Sequence, residues 1–313
     1  LGNSSSLKDT IKSFWHNNEQ EQRIFDEFSE NTLTNFYSPY GVVPNLLLND
    51  KLLCVPMVIE ESSVVAASAK AAKFWLERGG FKAEVKSTTK VGQVHFIWKG
   101  DSEKLESFFK SVKGELLQSV SPLLTNMEKR GGGVLSLELK NLTDQEEGYY
   151  QLFATFETCD AMGANFINSV LEAFGKELER LISLNDGFAG EEKNSQIVMC
   201  ILSNFTPECI VRASVECKVE DLEDKSLGMS AKDFASKFAR AVRIAKIDRY
   251  RAVTHNKGIF NGIDAVILAT GNDFRAIEAC GHAYAAKDGQ YRSLSDCSVE
   301  MEYLSFGLIF LLP

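Results

Sequence analysis

Histidine is scarce in this chain: four residues in 313, at positions 16, 95, 255 and 282, with no two spaced to share a metal. The seven cysteines, Cys54, Cys159, Cys200, Cys209, Cys217, Cys280 and Cys297, include no CxxC and no paired spacing. A zinc ribbon, a redox dithiol and a disulfide framework are thereby excluded, which leaves reduced thiols among apolar neighbours in a cytoplasmic protein that holds no metal. Positive charge is also in short supply, since 34 Lys and Arg face 43 Asp and Glu for a net charge of -9. A surface that coats phosphates needs clustered cations, so nucleic acid is excluded as a general partner. No apolar run approaches the roughly 18 residues needed to span a bilayer, and the closing "FGLIFLLP" is too short, so no membrane segment is expected. An initiating Met and a signal-peptide pattern are both lacking, and the polar opening "LGNSSSLKD" reads as a point inside a longer chain. The dinucleotide fingerprint GxGxxG is missing too.

What is present is a globular balance, 44% hydrophobic, 25% charged and 10% aromatic, with length enough for two domains. Apolar residues at helical spacing fill "LKDTIKSFWHNNEQEQRIFDEF", and "SPYGVVPNLLLNDKLLCVPMVIEE" then predicts a hairpin turning at its Asn-Asp pair. "ESSVVAASAKAAKFWLERGG" predicts a closely packing helix, with Ser62 or Ser63 as its cap and Gly79-Gly80 as its stop. From about 85 to 204 the pattern runs strand, helix, strand, strand, helix, strand, the split β-α-β order of a ferredoxin-like domain. The expectation is an α+β fold: a large helix-rich α/β domain made of 1–84 and 205–313, interrupted by the insert at 85–204. Within the second part, "SAKDFASKFARAVRIAKI" predicts an amphipathic helix, followed by a loop through Lys257 and helices at about 259–269 and 274–286.

Several polar residues stand out against this frame. Lys257, between Asn256 and Gly258, reads as a loop lysine at the entrance to an apolar helix. Partly desolvated, its ammonium would stabilise an oxygen that becomes negative during reaction; exposed, it would only be solvated. Asp273, after "ATGN" and before a helix, has the form of an N-cap. Glu60 and Glu61 end an apolar strand, so one points to a site and the other to solvent. A carboxyl in an alanine-rich pocket has a raised pKa and serves as a general acid, while acids that favour a helix dipole are the equal alternative. "CDAMGANF" closes a strand and opens a helix, which makes Gly163 and the amides after it either an anion cradle or a tight turn. "RGGG" at 130–133 reads, in isolation, as a flexible turn.

Taken in order, "PMVIEESSVVAAS", "CDAMGANFIN", "ILSN" and "YRAVTHNKGIFNGIDAVILATGNDFRAIEACGHAYAA" resemble 3-hydroxy-3-methylglutaryl-CoA (HMG-CoA) reductase, in its shorter bacterial class II form. The resemblance implies a homodimer, possibly part of a higher oligomer, with the active site at the subunit interface. It also implies a large domain for HMG-CoA, an inserted domain for NADPH or NADH, and reduction of the thioester in two hydride transfers to mevalonate and CoA. Carried over position by position, Lys257, Asp273 and Glu61 fall on the catalytic lysine, aspartate and glutamate: oxyanion partner, its holder, and proton donor. Arg251, Ser63, Asn261 and Asn204 fall on substrate contacts, and Asp160, Met162, Gly163 and Asn165 on the cofactor loop. His255 lies in a matching motif and is given no catalytic role. Lys129 and Arg130 before the triple glycine lean towards NADPH. The family's catalytic histidine lies on a C-terminal flap beyond the last strand, and none of the four histidines here matches it. The same residues would serve an enzyme run oxidatively on mevalonate. Loss of the flap would leave a noncatalytic CoA-thioester or nucleotide-binding protein.

Overall fold

The structure is a computed structural model that describes residues 5–223, 228–300 and 302–311. Two short helices, α1 (Ser5–Lys12) and α2 (Glu19–Asp26), lead into the hairpin of β1 (Tyr40–Leu48) and β2 (Lys51–Val58). Its turn is Asn49-Asp50, both left-handed at φ 47° and 65°, the mirror-image turn that matches strand twist. α3 (Val64–Leu76) packs its alanine face on this hairpin, and Val43, Met57, Ala72 and Ala265 make a small shared core. Ser63 does occupy the cap position of α3, but with φ 77° and without a side-chain cap bond.

β3 (Lys82–Ser87) pairs with β8 (Ile210–Lys218) in a four-stranded sheet of order β3-β8-β10-β9, completed by β9 (Ser295–Glu300) and β10 (Tyr303–Leu311). Between β3 and β8 the chain builds a second antiparallel sheet from β4 (Lys90–Trp98), β5 (Gly133–Asn141), β6 (Tyr149–Glu157) and β7 (Ser195–Ser203), in the order β5-β6-β4-β7. That is the split β-α-β arrangement expected from the element order. α4 (Ser102–Ser119) and α6 (Ala164–Leu184) cover one face, with α5 (Ser121–Glu128) as an additional helix ahead of the triple glycine. Alternation along β4 explains the one-sided core: Val94, Phe96 and Trp98 point inward, whereas Gln93, His95 and Ile97 are only partly covered. Gly92 lets α6 approach, since a Cβ there would meet Leu171 Cδ1 at 2.6 Å.

Three helices finish the larger part. α7 (Ala231–Ile247) is capped by Ser230 and packs through Ala235 and Phe238 against Phe306 and Cys217 of the first sheet. α8 (Arg249–Ala269) begins at the cap Asp248, whose Oδ2 accepts from Arg251 N at 2.9 Å. α8 corrects the expected loop through Lys257, because the helix starts ten residues earlier than the pattern suggested. Gly258 and Gly262 each cost about 1 kcal/mol of helix propensity, and the packing of Ala252, Asn256, Phe260 and Ala265 overrides it. α9 (Phe274–Ala285) follows, and Gly281 admits the Phe260 ring so closely that a Cβ would lie 2.5 Å from its Cζ. None of the seven cysteines is in a disulfide; Cys209, Cys217 and Cys280 are buried, but Cys54 is exposed and does not belong to a core.

Candidate active site

Glu61 lies in the short connection between β2 and α3, and Lys257 and Asn261 lie one turn apart on α8. Residues four apart share a helix face, so both side chains reach the same carboxylate. Lys257 Nζ donates to Glu61 Oε2 at 2.7 Å and Asn261 Nδ2 donates to the same oxygen at 3.1 Å. Lys257 keeps 63% of its side-chain surface in solvent and Glu61 47%, so the pair adds little to stability and is open to an incoming ligand. The bond and charge of Lys257 hold the Glu61 carboxyl below its usual range. This reverses the expectation of a raised pKa: a cation from 196 positions away in sequence outweighs the alanines of α3.

Asp273 is not part of that cluster. It caps α9, accepting from the backbone N–H groups of Arg275 and Ala276 at 3.0 and 3.3 Å, and its two oxygens take a forked pair of bonds from the Arg275 guanidinium at 3.0 and 3.1 Å. Arg275 first, then the backbone, keeps its carboxyl below the usual range. The cap reading therefore holds, and the bond to Lys257 that the resemblance implies is absent from this arrangement. Asp273 instead lines a cleft of about 360 Å³ together with Asn272, Ile277, Asp160 and Met162. Arg251, exposed on the first turn of α8, lies six residues before Lys257, about 120° round the helix from it. Ser63 is exposed two residues beyond Glu61, and Asn204 is exposed just past β7.

In the "CDAMGANF" turn, Ala161 N donates to Thr158 O at 3.1 Å. Gly163 sits at φ 80° at the start of α6, where a Cβ would strike Thr158 Cγ2 at 2.5 Å. Asp160, Met162 and Asn165 are exposed around it. Glu157 ties the turn down, accepting from Cys159 N at 2.7 Å and from Thr88 Oγ1. Cys159 Sγ in turn donates to Arg130 O at 3.1 Å, so the triple-glycine turn lies directly beside it. Gly132 packs against Glu157 O, with room for no Cβ, which makes "RGGG" a fitted turn. Each histidine is engaged elsewhere: His16 with Glu21, His95 with Tyr149, His255 with Ser295 and His282 with Tyr291. Among the described residues no group of three His, Cys, Asp or Glu is arranged to hold a metal ion, and no helix is long and apolar enough to cross a membrane.

Sequence reasoning missed Asp264 of α8, whose carboxyl is pushed up to about 7 by burial first and then by Glu278 of α9. A signal existed, since Asp264 is the one charged residue in "GIFNGIDAVILA".

Fold and site together define an α+β protein with a ferredoxin-like insert, an open lysine–carboxylate cluster on the larger part and a left-handed glycine at the start of α6 on the insert. A family profile described as hydroxymethylglutaryl-coenzyme A reductase matches residues 4–309, and the chain belongs to that family. It is 35% identical over 294 residues to the "Probable 3-hydroxy-3-methylglutaryl-coenzyme A reductase" of Borreliella burgdorferi, covering 93% of this chain and 63% of the relative. It is 31% identical over 291 residues to the reductase of Archaeoglobus fulgidus, covering 91% and 61%. The chain thus spans little more than three-fifths of these curated relatives. Among solved structures, a Streptococcus pneumoniae HMG-CoA reductase superimposes with a TM-score of 0.81 at 34% identity, over 100% of this chain and 74% of that one. A class II enzyme of the same organism, described as bound to NADPH in open conformations, matches with the same score and identity and is covered to 84%.

Proposed function

We propose that this chain carries the substrate and cofactor sites of an enzyme that reduces HMG-CoA to mevalonate and CoA with a nicotinamide cofactor. The observation that carries the reading is the Lys257–Glu61–Asn261 cluster, set on the motif that, by resemblance, carries a catalytic lysine.

In this reading the thioester oxygen takes the place of Glu61 on the Lys257 ammonium. The fixed cation then balances the charge that develops on that oxygen at each of the two reductions. Released from Lys257, Glu61 loses what holds its carboxyl low, so it can carry a proton to the aldehyde oxygen in the second reduction. Asn261 and Ser63 orient the acyl group, Arg251 holds its free carboxylate and Asn204 lies beside the reacting carbon. Asp273 reaches Lys257 only after giving up Arg275, so its part in holding the lysine belongs to the ligand-bound state.

The cofactor, when bound, supplies hydride. Asp160, Met162, Gly163 and Asn165 would hold it, and the bare Gly163 cradle at a helix start fits an anionic pyrophosphate. Arg130, next to that turn, favours NADPH over NADH. The inserted residues 85–204 are in this reading the cofactor domain, and 1–84 with 205–313 the substrate domain. Free thiols fit a cytoplasmic enzyme, and the exposed apolar corner of Ile247, Tyr250 and Val253 beside Arg251 fits a homodimer whose interface borders the site.

The test is HMG-CoA-dependent oxidation of NADPH and of NADH by the full-length protein, with Lys257→Ala as control. Turnover that the substitution removes, faster with NADPH, is expected; a folded protein that oxidises neither cofactor would overturn the reading.

A further inference from the structure

Lys257 has little packing of its own to fix it. Its side chain is 63% exposed, and its ammonium is bonded to Glu61, which is also open to solvent. Gly258 and Gly262 follow it on α8 and weaken the helix there. A Cβ on either glycine would meet nothing within 4 Å, so no neighbour grips that stretch from outside. The place of the ammonium is therefore set by the backbone beneath it.

Directly before Lys257 stands Asn256, fully buried and with both ends of its amide in use. Nδ2 donates to Arg292 O at 2.9 Å, and Oδ1 accepts from Leu294 N at 3.1 Å. One side chain thus pairs with two backbone groups of the segment that leads from α9 into β9. An amide suits this task because it carries a donor and an acceptor on one planar end.

That segment is itself anchored on several sides. His255 Nε2 is bonded to Ser295 Oγ at 2.7 Å, and Ser295 Oγ to Ser293 Oγ at 3.0 Å. Arg292 N donates to Ala285 O of α9, Ser293 N to Ala245 O of α7, and Ile309 N of β10 donates to Leu294 O. The Arg292 guanidinium reaches Lys246 O at 3.1 Å. Asn256, Ser293 and Ser295 are all buried, so a bond lost from this knot is not replaced by water. Lys257 lies about 100° further round the helix from Asn256 and faces outward.

We propose that Asn256 is a positioning residue: by tying α8 to the 292–295 segment it fixes the backbone under Lys257 and sets where the ammonium stands against Glu61. It acts through Lys257 and touches no substrate. Its consequence for catalysis rests on the function proposed above, whereas its effect on the contact between Lys257 and Glu61 does not. Removal of the amide leaves Arg292 O and Leu294 N without their partner, and the turn of α8 that bears Lys257 shifts.

The Glu61 carboxyl reports on that contact. It is held below its ordinary 4.5 by the hydrogen bond from Lys257 first and the charge of Lys257 second; burial opposes them and Asn261 adds to them. The experiment is a carboxyl NMR titration of the full-length protein carrying carboxyl-labelled glutamate, with the Glu61 signal identified by its loss in Glu61→Gln. Asn256→Ala removes both bonds and Asn256→Ser leaves at most one, and two variants are used so that one failing to fold leaves the other. Lys257→Ala marks full release of Glu61, and Phe174→Leu, in the core of the insert, is the control for lost stability alone.

In both Asn256 variants Glu61 is expected to titrate at a higher pH than in the unsubstituted protein, towards its position in Lys257→Ala, with Phe174→Leu leaving it in place. Turnover should fall by about 100-fold in kcat, the usual cost of misplacing a reacting group by about 1 Å, with KM for the nicotinamide cofactor little changed. A folded Asn256→Ala protein in which Glu61 titrates as before would overturn the proposal, as would an equal shift in Phe174→Leu. The titration needs no substrate. A protein that shows the Glu61 shift yet reduces no thioester keeps Asn256 as the residue that positions Lys257 and loses only the proposed reaction.

Discussion

Lys257 and Glu61 illustrate how little an ion pair at a proposed site needs to contribute to folding. Both ends are open to solvent, so under the proposed roles replacing either is expected to remove chemistry and leave the packing intact. Lys257→Ala is expected to lower kcat by about 100- to 1,000-fold, the usual effect of removing an oxyanion partner, with the urea midpoint unchanged. Glu61→Gln keeps the amide within reach of Lys257 and loses the proton. Its first reduction, followed in a single turnover, should persist while formation of mevalonate stops. The types and positions of these residues were legible in the sequence, but the direction of the Glu61 shift was not, because the lysine that sets it is remote in sequence. Asp273 was legible as a cap. Its forked bond from Arg275 depends on a rotamer that sequence spacing does not specify.

Among the elements, the start of α6 carries the sharpest constraint. Gly163→Ala combines a left-handed backbone, which costs about 1–2 kcal/mol for an L residue, with a collision against Thr158. Urea unfolding should show a loss of about 2–3 kcal/mol, and cofactor affinity, read by fluorescence titration, should weaken together with it. The β-α-β-β-α-β order, the hairpin and α9 were readable from periodicity and turn residues, since each declares itself within its own stretch of chain. α8 was readable only from its middle onward. "THNKG" has the composition of a loop, and the helical state there is decided by contacts such as Asn256 Nδ2 to Arg292 O at 2.9 Å. α5 was hidden for a related reason: eight residues between a long helix and three glycines give too short a window for a period.

For the whole molecule, the hydrophobic cores are divided unequally between the insert and the rest. The insert holds the largest core, in which Phe174 and Leu171 of α6 are fully buried against Phe96 and Phe156. Phe174→Ala should cost about 3–5 kcal/mol, measured by denaturant unfolding. The larger part has smaller cores and an exposed corner, where Tyr250 is 87% and Val253 53% accessible. If a second copy covers that corner, as the proposed homodimer requires, Tyr250→Asp should shift sedimentation towards monomer and lower turnover together. The element order disclosed the strands of the second four-stranded sheet. It did not disclose which faces would be left bare, because exposure depends on what packs against a helix and not on the helix itself.

The bond between Glu61 and Lys257 joins residues 196 positions apart, with the entire second sheet between them. A ribosome adding about 5–20 residues per second would make Glu61 some 10–40 seconds before Lys257. During that interval the insert is completed and is free to pack, whereas the site on the larger part has only one of its walls. The residues of the insert are therefore all in place in the nascent chain before α8 brings Lys257 to Glu61.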